Sequence, residues 1–166
     1  MVDSRGALPH DGRRAERLEL RVPTTPTQLP AVRAMAGDLA MRMDYDLDAV
    51  EDLRLAVDEA CATLSSVVSG DRRLTVVFET RRAGLHIDAW VPTTEGTDVP
   101  RDGFGWAVLH TLVDSVDAGP STQAKVLAGD GSASPVAGIA LVKYLRRYTP
   151  GAGAGAAPEH DVSVAR

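Results

Sequence analysis

The 166-residue chain has a single cysteine, few aromatic residues, and no apolar run long enough to cross a bilayer, which takes about 18 residues or more. One cysteine, Cys61, excludes an internal disulfide framework and a cysteine-based metal cluster, and points to a reducing compartment. Met1 to Arg17 carries charges but lacks the apolar core of a secretory signal, so a soluble, cytoplasmic protein with no membrane association is expected. Eighteen basic residues against twenty-three acidic ones give a net charge of -5, and no Lys/Arg stripe interleaves with aromatics. A direct nucleic-acid partner is therefore not expected; a protein or a small molecule is. No phosphate-binding loop ending in Gly-Lys-Ser and no nucleophile elbow occurs, which removes P-loop and hydrolase chemistry. His10, His86, His110 and His160 are scattered, and the acids Asp88, Glu95, Asp98 and Asp102 match no metal spacing, so no metal site is expected from the residues alone. There is no internal repeat.

What is present reads as one domain, because the length supports one sizeable core and not two. Residues 1–15 mix Gly, Pro, Asp and Arg without a period, and residues 149–166 contain Gly-Ala-Gly-Ala-Gly-Ala-Ala-Pro; both are expected to be disordered tails around a domain at 16–148. Leu18, Leu20 and Val22 alternate with charges and predict a strand ended by Pro23. A helix follows through Leu29, Val32, Met35, Ala36, Leu39 and Met43, with Thr25 or Thr27 as its cap. Asp46 or Asp48 caps a second helix from about Ala49 to Val68, ended by Gly70 and Asp71. Leu74 to Phe78 and Leu85 to Val91 predict an antiparallel hairpin turning at Arg81 to Gly84. Pro92 to Gly103 is long and aperiodic, the form of a lid or binding loop. A third helix is predicted over Gly105 to Val116, then strands over Val116 to Leu127 and Val136 to Tyr148. The order strand, helix, helix, hairpin, loop, helix, hairpin makes an α+β two-layer sandwich, with helices on one face of a mostly antiparallel sheet.

The second helix organises the rest. Leu53, Val57, Ala60, Cys61, Leu64, Val67 and Val68 fall on one arc and predict its core face. Glu59 and Thr63, one turn apart, lie on the other side with Asp52 and Ser66, where a plain solvated face is the alternative to a site. Cys61, on the apolar arc, reads as a buried, inert thiol.

The stretch Leu55-Ala-Val-Asp-Glu-Ala-Cys-Ala-Thr-Leu64 resembles the helix motif of GHKL-type ATP-binding proteins, specifically the RsbW-type anti-sigma factors that double as serine kinases in some bacteria. The similarity is strongest toward the actinobacterial anti-sigma-F branch and runs from about Leu18 to about Arg147. It implies the GHKL (Bergerat-type) sandwich, ATP and Mg2+ as cofactors, and Glu59 as general base. Thr63 stands where the family has its magnesium-binding Asn. Gly103 and Gly105 match the family's G-x-G, which opens a helix over the triphosphate, with Trp106 where Leu or Met is usual. The family's adenine-reading D-x-G-x-G is not kept: its Asp falls on Val91 and its glycines on Thr93 and Glu95. A Gly-Thr pair opening the last strand is also lost, near Val136 and Ala137. A valine offers no acceptor for the adenine amino group. The resemblance implies an anti-sigma factor that holds an alternative, stress-type sigma factor and is antagonised by a STAS-domain anti-anti-sigma factor, the chain acting as a homodimer. A serine kinase that phosphorylates that antagonist is the second reading, and an unrelated α+β binding domain the third. Arg33, a charged residue on the amphipathic first helix, is the candidate partner contact.

Overall fold

The computed structural model describes residues 15–70, 72–119 and 135–146; the expected tails, except Ala15, and the ends of the last two expected strands, at 120–127 and 147–148, lie outside them. The elements run β1 (Glu16–Pro23), α1 (Leu29–Arg42), α2 (Leu47–Val67), β2 (Arg73–Arg81), β3 (Gly84–Pro92), α3 (Phe104–Leu112), β4 (Ser115–Gly119) and β5 (Val136–Tyr144). The strands form one sheet in the order β1-β2-β3-β5-β4, and every neighbouring pair is antiparallel. The sequence predicted a mostly antiparallel sheet; among the described strands it is wholly so.

Strand parity decides which residues meet the helices. Leu74, Val76 and Phe78 on β2, Leu85, Ile87, Ala89 and Val91 on β3, and Ala137, Ile139 and Leu141 on β5 are all buried under the helical layer. The intervening residues face the other side, where Val77 and Trp90 are buried and form a small second cluster with Val136. The apolar arc of α2 is seated on β3 and β5, with Leu53, Val57, Ala60, Cys61 and Leu64 buried as their spacing predicts. Val67 and Val68 are only partly buried, because α2 stops at Val67 and Val68 is extended. The helix therefore ends before Gly70 and Asp71, although Gly70 does take the left-handed backbone (φ 61°) that glycine tolerates.

Asp46 caps α2 by accepting from the Ala49 amide at 2.8 Å. At α1 the side-chain cap expected from Thr25 or Thr27 is not formed: the cap residue is Gln28, and the two hydroxyls bond to each other at 3.2 Å. Pro30 removes one of the donors such a cap would satisfy. The third helix is shorter than its periodicity suggested, ending at Leu112 with Val113 extended (φ -127°, ψ 161°). The sheet takes the chain from there: the Asp114 amide donates to Val142 O at 2.9 Å, and β4 begins at Ser115.

Candidate functional site

The polar side of α2 is divided, and only part of it meets solvent. Asp52, Glu59 and Thr63 are partly buried along the side that receives α3, while Leu55, Ala62 and Ser66 form the exposed crest. The two helices lie antiparallel, fixed at both ends by charged residues. At the start of α3, a Cβ on Gly105 would collide with Glu59 Oε1 and stand 2.7 Å from Glu59 Cδ, so the carboxylate rests on bare glycine backbone. At its end, Lys143 Nζ donates to Leu112 O at 2.6 Å and to Asp52 Oδ2 at 3.0 Å. A carboxylate at the N-terminus and an ammonium at the C-terminus both complement the helix dipole. Leu109 is the only fully buried residue of α3. Trp106 and Leu112 pack partly buried against the core beside it, and the polar contacts at both ends add to that docking.

Of the residues singled out in the sequence, Glu59 and Gly105 are in contact, and Thr63 lies one helical turn beyond Glu59 on the same side. Gly103 is the N-cap of α3, exposed, with nothing within 4 Å of where a Cβ would be. Gly105 alone of the two is required by close approach. Trp106 is half-buried and meets His110 edge-to-face at 5.5 Å and 80°. Arg33 does not stand apart from the fold: its Nη1 is 2.9 Å from Asp58 Oδ2, tying α1 to α2. The preceding loop is pinned by Val99, which is 3% exposed, by Thr94 bonded to Thr97 at 2.8 Å, and by Arg101 donating to the Ala118 carbonyl.

The two ends of the expected nucleotide site differ. Val91 is fully buried on the helix-facing side of β3, and Thr93, also buried, uses its amide on Pro135 O at 2.9 Å. Neither residue supplies the carboxylate that the resemblance requires for adenine, so the residues present do not fit ATP in the family's manner at that end. At the other end, the Glu59–Gly105 contact keeps an acid beside the opening turn of a helix. Among the described residues no group of three or more His, Cys, Asp or Glu is arranged to hold a metal ion. Asp88 sits mid-sheet on the face away from the helices, where burial, then Glu79, raises its pKa. His86 beside it is lowered by burial and by Arg81. Cys61 is buried, and burial, then Asp58, pushes its thiol up to about 12.

Two residues that matter here escaped sequence reasoning. Lys143 occupies the inward parity of β5, following Ala137, Ile139 and Leu141, and its side chain is only 16% exposed. A lysine on the core side of a strand was a signal to look for a partner acid. Tyr45 links the layers: its hydroxyl accepts from the Leu85 amide at 2.9 Å and donates to Lys143 O. Nothing in the local sequence marks that role.

A five-stranded antiparallel sheet under a long central helix, on which Glu59 meets the glycine opening of a following helix, defines an ATPase-like α+β domain. The family model described as the histidine kinase-like ATPase domain matches residues 22–127, and the chain belongs to that family. It is 35% identical over 118 residues to the anti-sigma-F factor RsbW of Mycobacterium tuberculosis, covering 70% of this chain and 69% of that one. It is 40% identical over 123 residues to the serine-protein kinase RsbW of Bacillus subtilis, covering 61% of this chain and 77% of that one. The similarity to the serine-protein kinase RsbW of Bacillus velezensis is 25% over 149 residues, covering 77% and 85%.

Proposed function

We propose that this chain is an anti-sigma factor: it holds an alternative, stress-type sigma factor away from RNA polymerase until a STAS-domain anti-anti-sigma factor competes for the same surface. The observation that carries the reading is the match to an anti-sigma-F factor across most of the chain, supported by a buried Val91 at the position where, by resemblance, the family has its adenine-reading Asp. Sequestration needs a folded domain and a contact surface. It survives the loss of the adenine acceptor, whereas phosphoryl transfer from ATP depends on holding the donor in line. The helical layer offers that surface, with the Arg33–Asp58 pair on its solvent side. The test is calorimetric titration of the purified chain with the alternative sigma factors of its own organism, without nucleotide. Binding of one of them, reversed by a STAS protein, is expected; no binding to any of them refutes the reading.

One observation favours a second reading, a serine kinase acting on the antagonist. Glu59 keeps its place against Gly105, where a base would take the proton of a serine hydroxyl. Nucleotide titration with and without magnesium, together with Glu59→Ala, separates the two. Magnesium-dependent ATP binding, with phosphorylation abolished in Glu59→Ala while sigma binding persists, would establish the kinase. Absence of nucleotide binding leaves the sequestering protein alone.

A further inference from the structure

Two large apolar side chains are left in solvent where α2 and α3 meet. Phe104, the first residue of α3, is 86% exposed, and Leu55 on the crest of α2 is 52% exposed. At one end of the seam Gly105 lies on Glu59, and at the other Lys143 joins Leu112 to Asp52, so between them Leu55 comes level with half-buried Val108. Phe104 lies one turn before Val108, next to the Gly105–Glu59 contact. Leu55, Val108 and Phe104 thus make an apolar strip around the Glu59 carboxylate. That acid is uncommitted: among the described residues it has no hydrogen bond or ion pair, whereas Asp58 is tied to Arg33 and Asp52 to Lys143. Asp102, exposed just before the helix, is likewise unpaired, and its neighbour Arg101 is engaged by the Ala118 carbonyl and Asp98. Single exposed apolar residues need no explanation. Several around an unpaired acid describe a contact surface, and the sign of its free charge says what fits it.

We propose that the α2–α3 seam is where the captured sigma factor docks, through a segment that sets a lysine or arginine against Glu59 and apolar side chains on Phe104 and Leu55. The inference rests on the anti-sigma reading and narrows it: the contact lies on this seam and not at the Arg33–Asp58 pair, whose charges already satisfy each other at 2.9 Å. An apolar anchor beside a charge that gains its partner only in the complex is the arrangement that concentrates binding energy in a few residues. Phe104 and Leu55 lose water on docking without first breaking any contact of the free chain that their exposure shows. Glu59 gains an ion pair that the fold does not supply. The same acid therefore has a use into which no nucleotide enters, one that fits a chain with Val91 in place of the adenine acceptor.

The test is calorimetric titration of the full chain and its variants with the sigma factor that the wild type binds, without nucleotide. Phe104→Ser and Leu55→Ser change exposed side chains and should keep the wild-type melting transition; each is expected to weaken binding at least about tenfold. Glu59→Gln keeps the shape and removes the charge. It is expected to weaken binding about tenfold and to lessen its dependence on salt, because one of the screened charges is gone. If all three variants bind as the wild type does, the proposal fails and the anti-sigma reading stands. Loss of binding in Arg33→Ala with the three unaffected has the same meaning and moves the contact to α1. Weakening by Phe104→Ser, with affinity and salt dependence unchanged in Glu59→Gln, overturns the basic partner. So does a Glu59→Gln effect that appears only when ATP and magnesium are added, which would assign the acid to nucleotide. A wild type that binds no sigma factor overturns the proposal and the reading together.

Discussion

Replacing Tyr45 with Phe tests how the helical layer is tied to the sheet. The Tyr45 ring packs against the core, and its hydroxyl makes two bonds, accepting from the Leu85 amide on β3 and donating to the Lys143 carbonyl on β5. Phe keeps the ring and leaves both backbone groups unsatisfied in a partly buried place. Each such group costs about 1–3 kcal/mol when fully shielded, and partial water access brings the sum to about 2 kcal/mol. For a chain of this length that lowers the melting temperature by roughly 4–8 °C. Urea unfolding should show a lower midpoint with an unchanged slope, since the surface exposed on unfolding is the same. A loss under about 0.5 kcal/mol would refute the reasoning, because it would mean water already serves both backbone groups in the native protein.

Lys143→Met removes the ammonium that joins Asp52 to Leu112 O; a cost of about 1–2 kcal/mol is expected, with earlier amide exchange in α3 than in β2 and β3. Unchanged α3 protection would sink the view that polar contacts help hold that helix. Gly105→Ala should displace the Glu59 carboxylate while leaving folding within about 1 kcal/mol of wild type, because the far end of a flexible side chain can move and Ala suits a helix. Whatever depends on the position of Glu59 should fall, whereas Gly103→Ala, with open space around it, should change neither; equal behaviour of the two variants would contradict the contact. Cys61 and Tyr45 are both raised to about 12 from 9.0 and 10.0, so the folded state holds protons that the unfolded chain releases. Stability should therefore be fully present below pH 9 and fall as pH rises toward 12. Cys61→Ala should flatten the start of that fall, and at pH 8 the native thiol should react with a disulfide reagent only as fast as the protein opens; reaction at the rate of a free thiol would refute its burial.

The elements that the sequence revealed are those whose signal is local. The period of two in β2 and β3 and the arc of Leu53, Val57, Ala60, Cys61 and Leu64 each follow from which side must be dry, and the core of the structure is built from those residues. The end of α3 was not legible, because Leu112 and Val113 keep helical spacing and only the pull of β5 on the Asp114 amide stops the helix. The candidate site was half legible. Glu59 and Gly105 were picked from a motif more than forty positions apart in the chain, and the fold brings them into contact. Asp52 was seen only as a polar residue on the same face; its partner Lys143 is 91 residues away, and no short-range pattern connects such pairs. Arg33 looked like a spare charge because its partner Asp58 lies on the next helix.

The two ends of the site bear differently on function. The Glu59 contact with Gly105 also sets a negative charge at the positive end of α3, which favours that arrangement without any nucleotide. Its presence is therefore weak evidence for catalysis. Val91 is different. A carboxylate at that position would face the helical layer beside Ala89 and the cross-strand Ala137, and burying it without a partner costs several kcal/mol unless a ligand supplies one. A chain that uses adenine has reason to bear that cost, whereas one that only sequesters a partner gains stability by placing a valine there. Val91→Asp turns this into a measurement. If the site has become pure core, the variant should lose about 3 kcal/mol or more and gain no nucleotide affinity. If it still has room for the base, ATP should return part of the lost stability in proportion to its concentration over its dissociation constant, and the kinase reading would then stand ahead of simple sequestration.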